Sequence, residues 1–209
     1  MPRTRKFRIT TSREEISHLL RAWFAISLAF AIASTIPFSG FTISSRFFLF
    51  FAISAITVGS GFLLHELSHK ILAQRYGCFA EFRSDAMMLL LAIAISFTGF
   101  IFAAPGAVFI KGKITKEQNG RISAAGPVVN ILLAIIFLGL GLITDNAILD
   151  MISSFGTYIN ALLAVFNLLP FGIFDGQKVF NWNKIAYSAL MVSAVSLLVM
   201  YFLVGARAV

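Results

Sequence analysis

The sequence predicts an all-α integral membrane protein of about five to six transmembrane helices, with a re-entrant or β-hairpin segment part-way along. Three observations carry this. The 209 residues are 58% hydrophobic and only 12% charged, roughly half the charged fraction of a soluble domain. Six apolar runs, near 20–38, 46–65, 86–104, 123–143, 148–169 and 185–204, are each of helix length, close to the ~20 residues a bilayer crossing needs. None alternates as a barrel strand would. Unpaired backbone cannot face lipid, so helix is the expected spanning form.

Charge orients the elements in order. Residues 1–19 are dense in Arg and Lys and too mixed in charge for a signal-peptide n-region. They read as a cytoplasmic tail of a multi-pass cell-membrane protein, with 20–209 a single membrane domain. The first run then leads outward to the loop SGFTISS. The second returns to the inner side, where Lys70, Arg75 and Arg83 are expected as anchors. The loop TDNAILD, 144–150, carries acids and no Lys or Arg and reads as outside. The stretch 175–184, DGQKVFNWNK, and the basic loop 111–121 read as inside. Trp23 and Trp182 suit the two membrane interfaces. A full crossing by 86–104 would put 111–121 outside. Residues 86–110 are therefore expected to enter and leave from one side, turning around Gly99, Pro105, Gly106 and Gly112, the alternative being an ordinary transmembrane helix, for which the run is long enough. Irregular backbone at that depth must be buried in protein or line a wet cavity.

The net charge of +8 does not point to nucleic acid, because the basic residues flank apolar runs, where they orient a membrane protein. The expected surroundings are the lipid bilayer. Cys78 is the single cysteine, which rules out an internal disulfide and a cysteine-based zinc site. Of the three histidines, His18 lies in the charged N-terminal region and reads as a solvated or interfacial side chain.

The other two stand at the end of the second run, in HELSH. His65 and His69 are four apart, so on a helix they share a face. Two imidazoles so placed can hold one metal ion, and Glu66 beside them can take a proton from metal-bound water. With no third histidine to join them, a further ligand is expected to be a carboxylate. Asp175 follows NALLAVFNLLPFGIF, far from the polar stretches that hold most other acids. Pro170 and Gly172 should break the helix just before it. From the residues alone, Asp175 is either a metal ligand or an aspartate capping a helix end. Asn130 and Asn167, on apolar helices, are either interhelical hydrogen-bonding groups or part of a site.

HELSH on a membrane helix, AGPVVN at 125–130 and NLLPFGIFDG at 167–176 together resemble the site-2 protease family of intramembrane zinc proteases, over about residues 46–180. The resemblance implies a catalytic core that cleaves transmembrane protein substrates near the cytosolic side, in a compact form without PDZ or CBS domains. It implies one Zn(2+) per chain, held by His65, His69 and Asp175, with Glu66 as general base. Asn167 and Asn130 would support substrate or oxyanion. Gly126, Pro127, Pro170 and Gly176 would shape the core. The stretch between HELSH and AGPVVN is longer and more apolar than in compact family members. The rival reading is a non-proteolytic zinc-binding membrane protein or a metal transporter. A transporter should spread ionisable residues along a path, whereas this chain gathers them in one site.

Overall fold

The computed structural model describes residues 9–39, 42–101 and 106–205. Most of the basic N-terminal tail, and Pro105 in the expected turn, lie outside these. Eight helices and two strands follow in order: α1 (Arg13–Ser39), α2 (Ser45–Ser54), a π-helical turn (Ala55–Gly59), α3 (Ser60–Arg75), β1 (Phe79–Ser84), α4 (Ala86–Ser96), β2 (Gly106–Lys111), α5 (Lys116–Ile143), α6 (Ala147–Asn167), α7 (Asp175–Trp182) and α8 (Lys184–Gly205).

Among the described residues, five helical stretches are long and apolar enough to cross a membrane: 13–36, 45–75, 116–143, 147–167 and 184–203. The third apolar run, 86–104, is not one of them. Its helix, α4, has 11 residues and is about 16 Å long at 1.5 Å per residue, half the hydrocarbon thickness. Asp85 caps its start by accepting from the Met88 amide at 3.0 Å. β1 and β2 flank α4 and pair antiparallel, from Phe79 opposite Lys111 to Ser84 opposite Gly106. The run therefore returns to the end from which it left, as charge balance required.

The second run is longer than its apolar stretch indicated. It is one continuous helical rod from Ser45 to Arg75, interrupted by the π turn. That turn frees backbone carbonyls, and Trp23 of α1 answers one of them: its indole N–H donates to Ala55 O at 3.1 Å. Trp23, half-buried, thus ties α1 to the rod. Lys70 is drawn into the protein. Its side chain is 1% exposed and paired with Glu15, which is fully buried. His18 bonds Ser84 at 2.8 Å, which ties α1 to β1 and leaves it only partly solvated.

α5 opens with a capping box. Thr115 Oγ1 accepts from the Gln118 amide at 3.1 Å, and Gln118 Oε1 accepts from the Thr115 amide at 2.9 Å. α6 starts at Asn146, whose side chain accepts from the amides of Ile148 and Leu149. α6 ends at Asn167, three residues before Pro170, consistent with the residue before a proline leaving the helical region. One apolar cluster joins α1, α3, β1 and α4 through Ile26, Val58, Phe62, Phe82 and Leu89. A second joins α5, α6 and α8 through Ile131, Ala161, Leu168 and Leu197. HELSH and the start of α7 meet beside α5, between these clusters.

Candidate metal centre

Helical spacing puts His65 and His69 on one face of α3, with ring centroids 4.6 Å apart. Opposite them stands Asp175, the first residue of α7. Its Oδ2 lies 3.0 Å from His69 Nε2 and 3.4 Å from His65 Nε2. One donor atom from each residue lies within 4.8 Å of the others. Donors about 2.0–2.1 Å from a tetrahedral ion sit roughly 3.3 Å apart, so the two measured separations suit a shared ion. All three side chains are largely buried.

The outer nitrogens of both imidazoles are already committed. His69 Nδ1 donates to Ile122 O at 2.7 Å, and His65 Nδ1 bonds Asn130 Oδ1 at 2.5 Å. With Nδ1 protonated, Nε2 presents a lone pair toward Asp175, the usual state of a metal-binding histidine. Asn130 is fully buried. Its amide donates to Asn160 Oδ1 at 3.0 Å, and Asn160 Nδ2 donates to Gly156 O at 2.9 Å. His65 is thus oriented by a chain of amides from α5 and α6.

Gly126 of α5 faces the pair. A Cβ there would run into His65 Nε2 and His69 Nε2, the two lone pairs themselves. The glycine leaves open the space an ion needs. Gly176 serves a different approach: a Cβ on it would meet the Leu168 carbonyl at the end of α6, so only glycine lets α7 start so close. Pro127 is inside α5 and fully buried.

Beside the three donors is a cavity of about 320 Å³. Glu66 lines it. Phe62, Leu163, Phe166 and Phe174 make one wall apolar, while Asn119, Ser123 and Lys178 are polar. Asn167 also lines the cavity, with its amide donating to Leu163 O at 3.0 Å on its own helix. Pro170 and Gly172, which has φ +64°, carry the chain from α6 to α7. The fold therefore brings His65, Glu66, His69, Asn130, Asn167 and Asp175 to one place. Two residues here were missed in the sequence. Asn160 could have been found as a polar group inside an apolar helix, seven residues before Asn167 and so on the same face. Lys178, one turn after Asp175, looked like another interfacial lysine.

No family model and no solved structure matches the chain. Among curated proteins it is 44% identical over 161 residues to "Putative zinc metalloprotease MJ0611" of Methanocaldococcus jannaschii, a match covering 76% of this chain and 82% of that protein. It is 30% identical over 132 residues to "Zinc metalloprotease MJ0392" of the same organism, covering 63% of this chain and 34% of the relative. It is 28% identical over 156 residues to "Putative zinc metalloprotease YwhC" of Bacillus subtilis, covering 63% and 71%.

Proposed function

Because the chain belongs to the zinc metalloprotease family of these relatives, we propose that it is an intramembrane peptidase of the site-2 protease type. It hydrolyses peptide bonds of transmembrane protein substrates near the cytosolic face of the cell membrane, with its N-terminus cytoplasmic. The observation that carries this reading is the meeting of His65, His69 and Asp175 beside a Glu66-lined cavity in a protein of five membrane-length helices.

His65 Nε2, His69 Nε2 and an Asp175 oxygen would hold one zinc ion. When bound, it would supply Lewis-acid polarisation of a carbonyl and a water acidic enough to attack near neutral pH. The other steps belong to side chains. Asn130 and the Ile122 carbonyl keep both imidazoles turned inward. Glu66 takes the proton of the attacking water and later delivers it to the leaving amine. Asn167 stands at the cavity wall, where a swing of its amide would reach substrate.

A substrate helix must unwind to be cut. β2 pairs with β1 along one edge, and Gly106, Ala107 and Val108 line the cavity. An extended substrate segment can add along β2 while its side chains enter the apolar wall. The test is hydrolysis of a synthetic single-span peptide by purified protein in liposomes, before and after chelation. Zinc-dependent cleavage within or beside the span supports the reading. Zinc binding with no cleavage of any membrane-embedded peptide, or zinc flux into sealed vesicles, overturns it.

A further inference from the structure

The catalytic helix, β2 and α7 surround a cavity with one lysine in its lining. Lys178 is three residues after Asp175 on α7, hence on the same face. The two oxygens of Asp175 divide the space. Oδ2 faces both imidazoles, and Oδ1 faces Lys178 Nζ at 3.8 Å. That separation is too long for a hydrogen bond. Among the described residues no hydrogen bond engages the ammonium, and the side chain is 44% exposed. A charged triple donor is thus held beside the donor cluster with its N–H groups uncommitted.

Peptide hydrolysis needs such a donor. Adding water to the carbonyl carbon puts a full negative charge on the carbonyl oxygen, and donors aimed at that charge supply much of the rate. The other amides near the cluster are occupied. Asn167 donates to Leu163 O and Asn130 to Asn160. Asn119 and Ser123 line the wall made by α5, but both are neutral, and charge-assisted bonds are about twice as strong.

We propose that Lys178 is a catalytic residue whose ammonium donates a hydrogen bond to the oxyanion of the tetrahedral intermediate. The assignment rests on the proteolytic reading above. The water oxygen bonds to the carbonyl carbon, the carbonyl π pair moves onto oxygen, and Glu66 holds the water's proton. As the C–N bond breaks, the pair returns to re-form the carbonyl and Glu66 protonates the amine. Lys178 keeps its proton throughout.

The test uses the full chain in liposomes, as wild type, Lys178→Met and Lys178→Arg. Three readouts are taken: zinc content, cleavage of a synthetic single-span peptide, and affinity for two analogues of that peptide. One analogue carries a phosphinate anion in place of the scissile amide; the other carries a neutral ketomethylene. Lys178→Met is expected to lower kcat and phosphinate affinity by ~100-fold, the scale for losing an oxyanion donor. KM, ketomethylene affinity and zinc content should stay within about twofold. Lys178→Arg should recover most of the phosphinate affinity. An unchanged kcat overturns the assignment, as does equal weakening of both analogues. Loss of zinc in Lys178→Met also overturns it, because Lys178 would then serve only to hold Asp175. A wild type that holds zinc and cleaves, alongside an inert substitution, sinks this proposal alone. A wild type without zinc or cleavage sinks the proteolytic reading and this one with it.

Discussion

Lys70 Nζ lies 2.5 Å from Glu15 Oε2, with both side chains closed off from solvent. Lys70 follows His69 directly, and the other Glu15 oxygen accepts from the Phe82 amide of β1 at 3.0 Å. Thr11 Oγ1 takes a further Lys70 hydrogen at 2.8 Å. One carboxylate therefore joins α1, the HELSH helix and the hairpin. Breaking such a pair leaves an uncompensated buried charge, at a cost of about 3–5 kcal/mol. Glu15→Gln or Lys70→Met alone should lower the midpoint of thermal unfolding in detergent sharply. The double change Glu15→Leu with Lys70→Met should recover most of that loss. A double variant as unstable as the singles would show that packing, not charge, is what the pair supplies.

Gly126→Ala places a methyl group against both Nε2 atoms. Zinc affinity is expected to fall at least ~100-fold, beyond the 10–100-fold range for damage to outer-shell partners. Metal analysis after dialysis against a graded chelator checks this. A variant that keeps its zinc would place the ion elsewhere.

Glu66→Gln keeps size and hydrogen-bonding capacity but removes the base. Zinc should be retained and peptide cleavage should drop by at least ~100-fold. Cleavage at the wild-type rate would strip Glu66 of its assigned role.

Asn160→Leu removes the acceptor of the Asn130 amide and leaves that amide buried without its main partner. His65 then loses its fixed orientation, and zinc should bind roughly 10-fold more weakly. Calorimetric titration of the metal-free protein measures it. The parallel change Asn119→Leu, on the cavity wall but with no hydrogen bond to either histidine among the described residues, should leave zinc affinity alone.

Single cysteines at 113, 116 and 117, in a Cys78→Ala background, should resist an impermeant thiol reagent outside intact cells and react once the cells are opened. The basis is the β1–β2 pairing, which returns the chain to the end where HELSH stops. Labelling from outside would turn the orientation of the whole protein over.

Much of this centre is legible in the sequence because its strongest signals are local. The His65–His69 spacing needs one helical turn, and the break at Pro170 and Gly172 marks where Asp175 departs from α6. The return of 86–110 followed from counting charges at loop ends. Its strand form was harder, since GAVFIK is as compatible with the end of a buried helix as with an edge strand. What stayed hidden is long-range. Glu15 and Lys70 are 55 residues apart, and a lysine after an apolar run gives no sign that its partner waits on another helix. The π turn in 55–59 is likewise invisible in AITVG, and the indole that caps its Ala55 carbonyl, Trp23, comes from α1.

The pairing of Phe79 with Lys111 and of Ser84 with Gly106 closes the chain on itself around α4. Whatever lies between the two strands is a cassette, pinned at its base and free to change in length or content. Leu89, Ala92 and Ser96 are its buried contacts along α4, a small footprint to preserve. Neither HELSH nor the start of α5 need shift when the cassette is exchanged. Such a design lets evolution, or a protein engineer, alter the segment between the strands without re-solving the geometry of His65, His69 and Asp175.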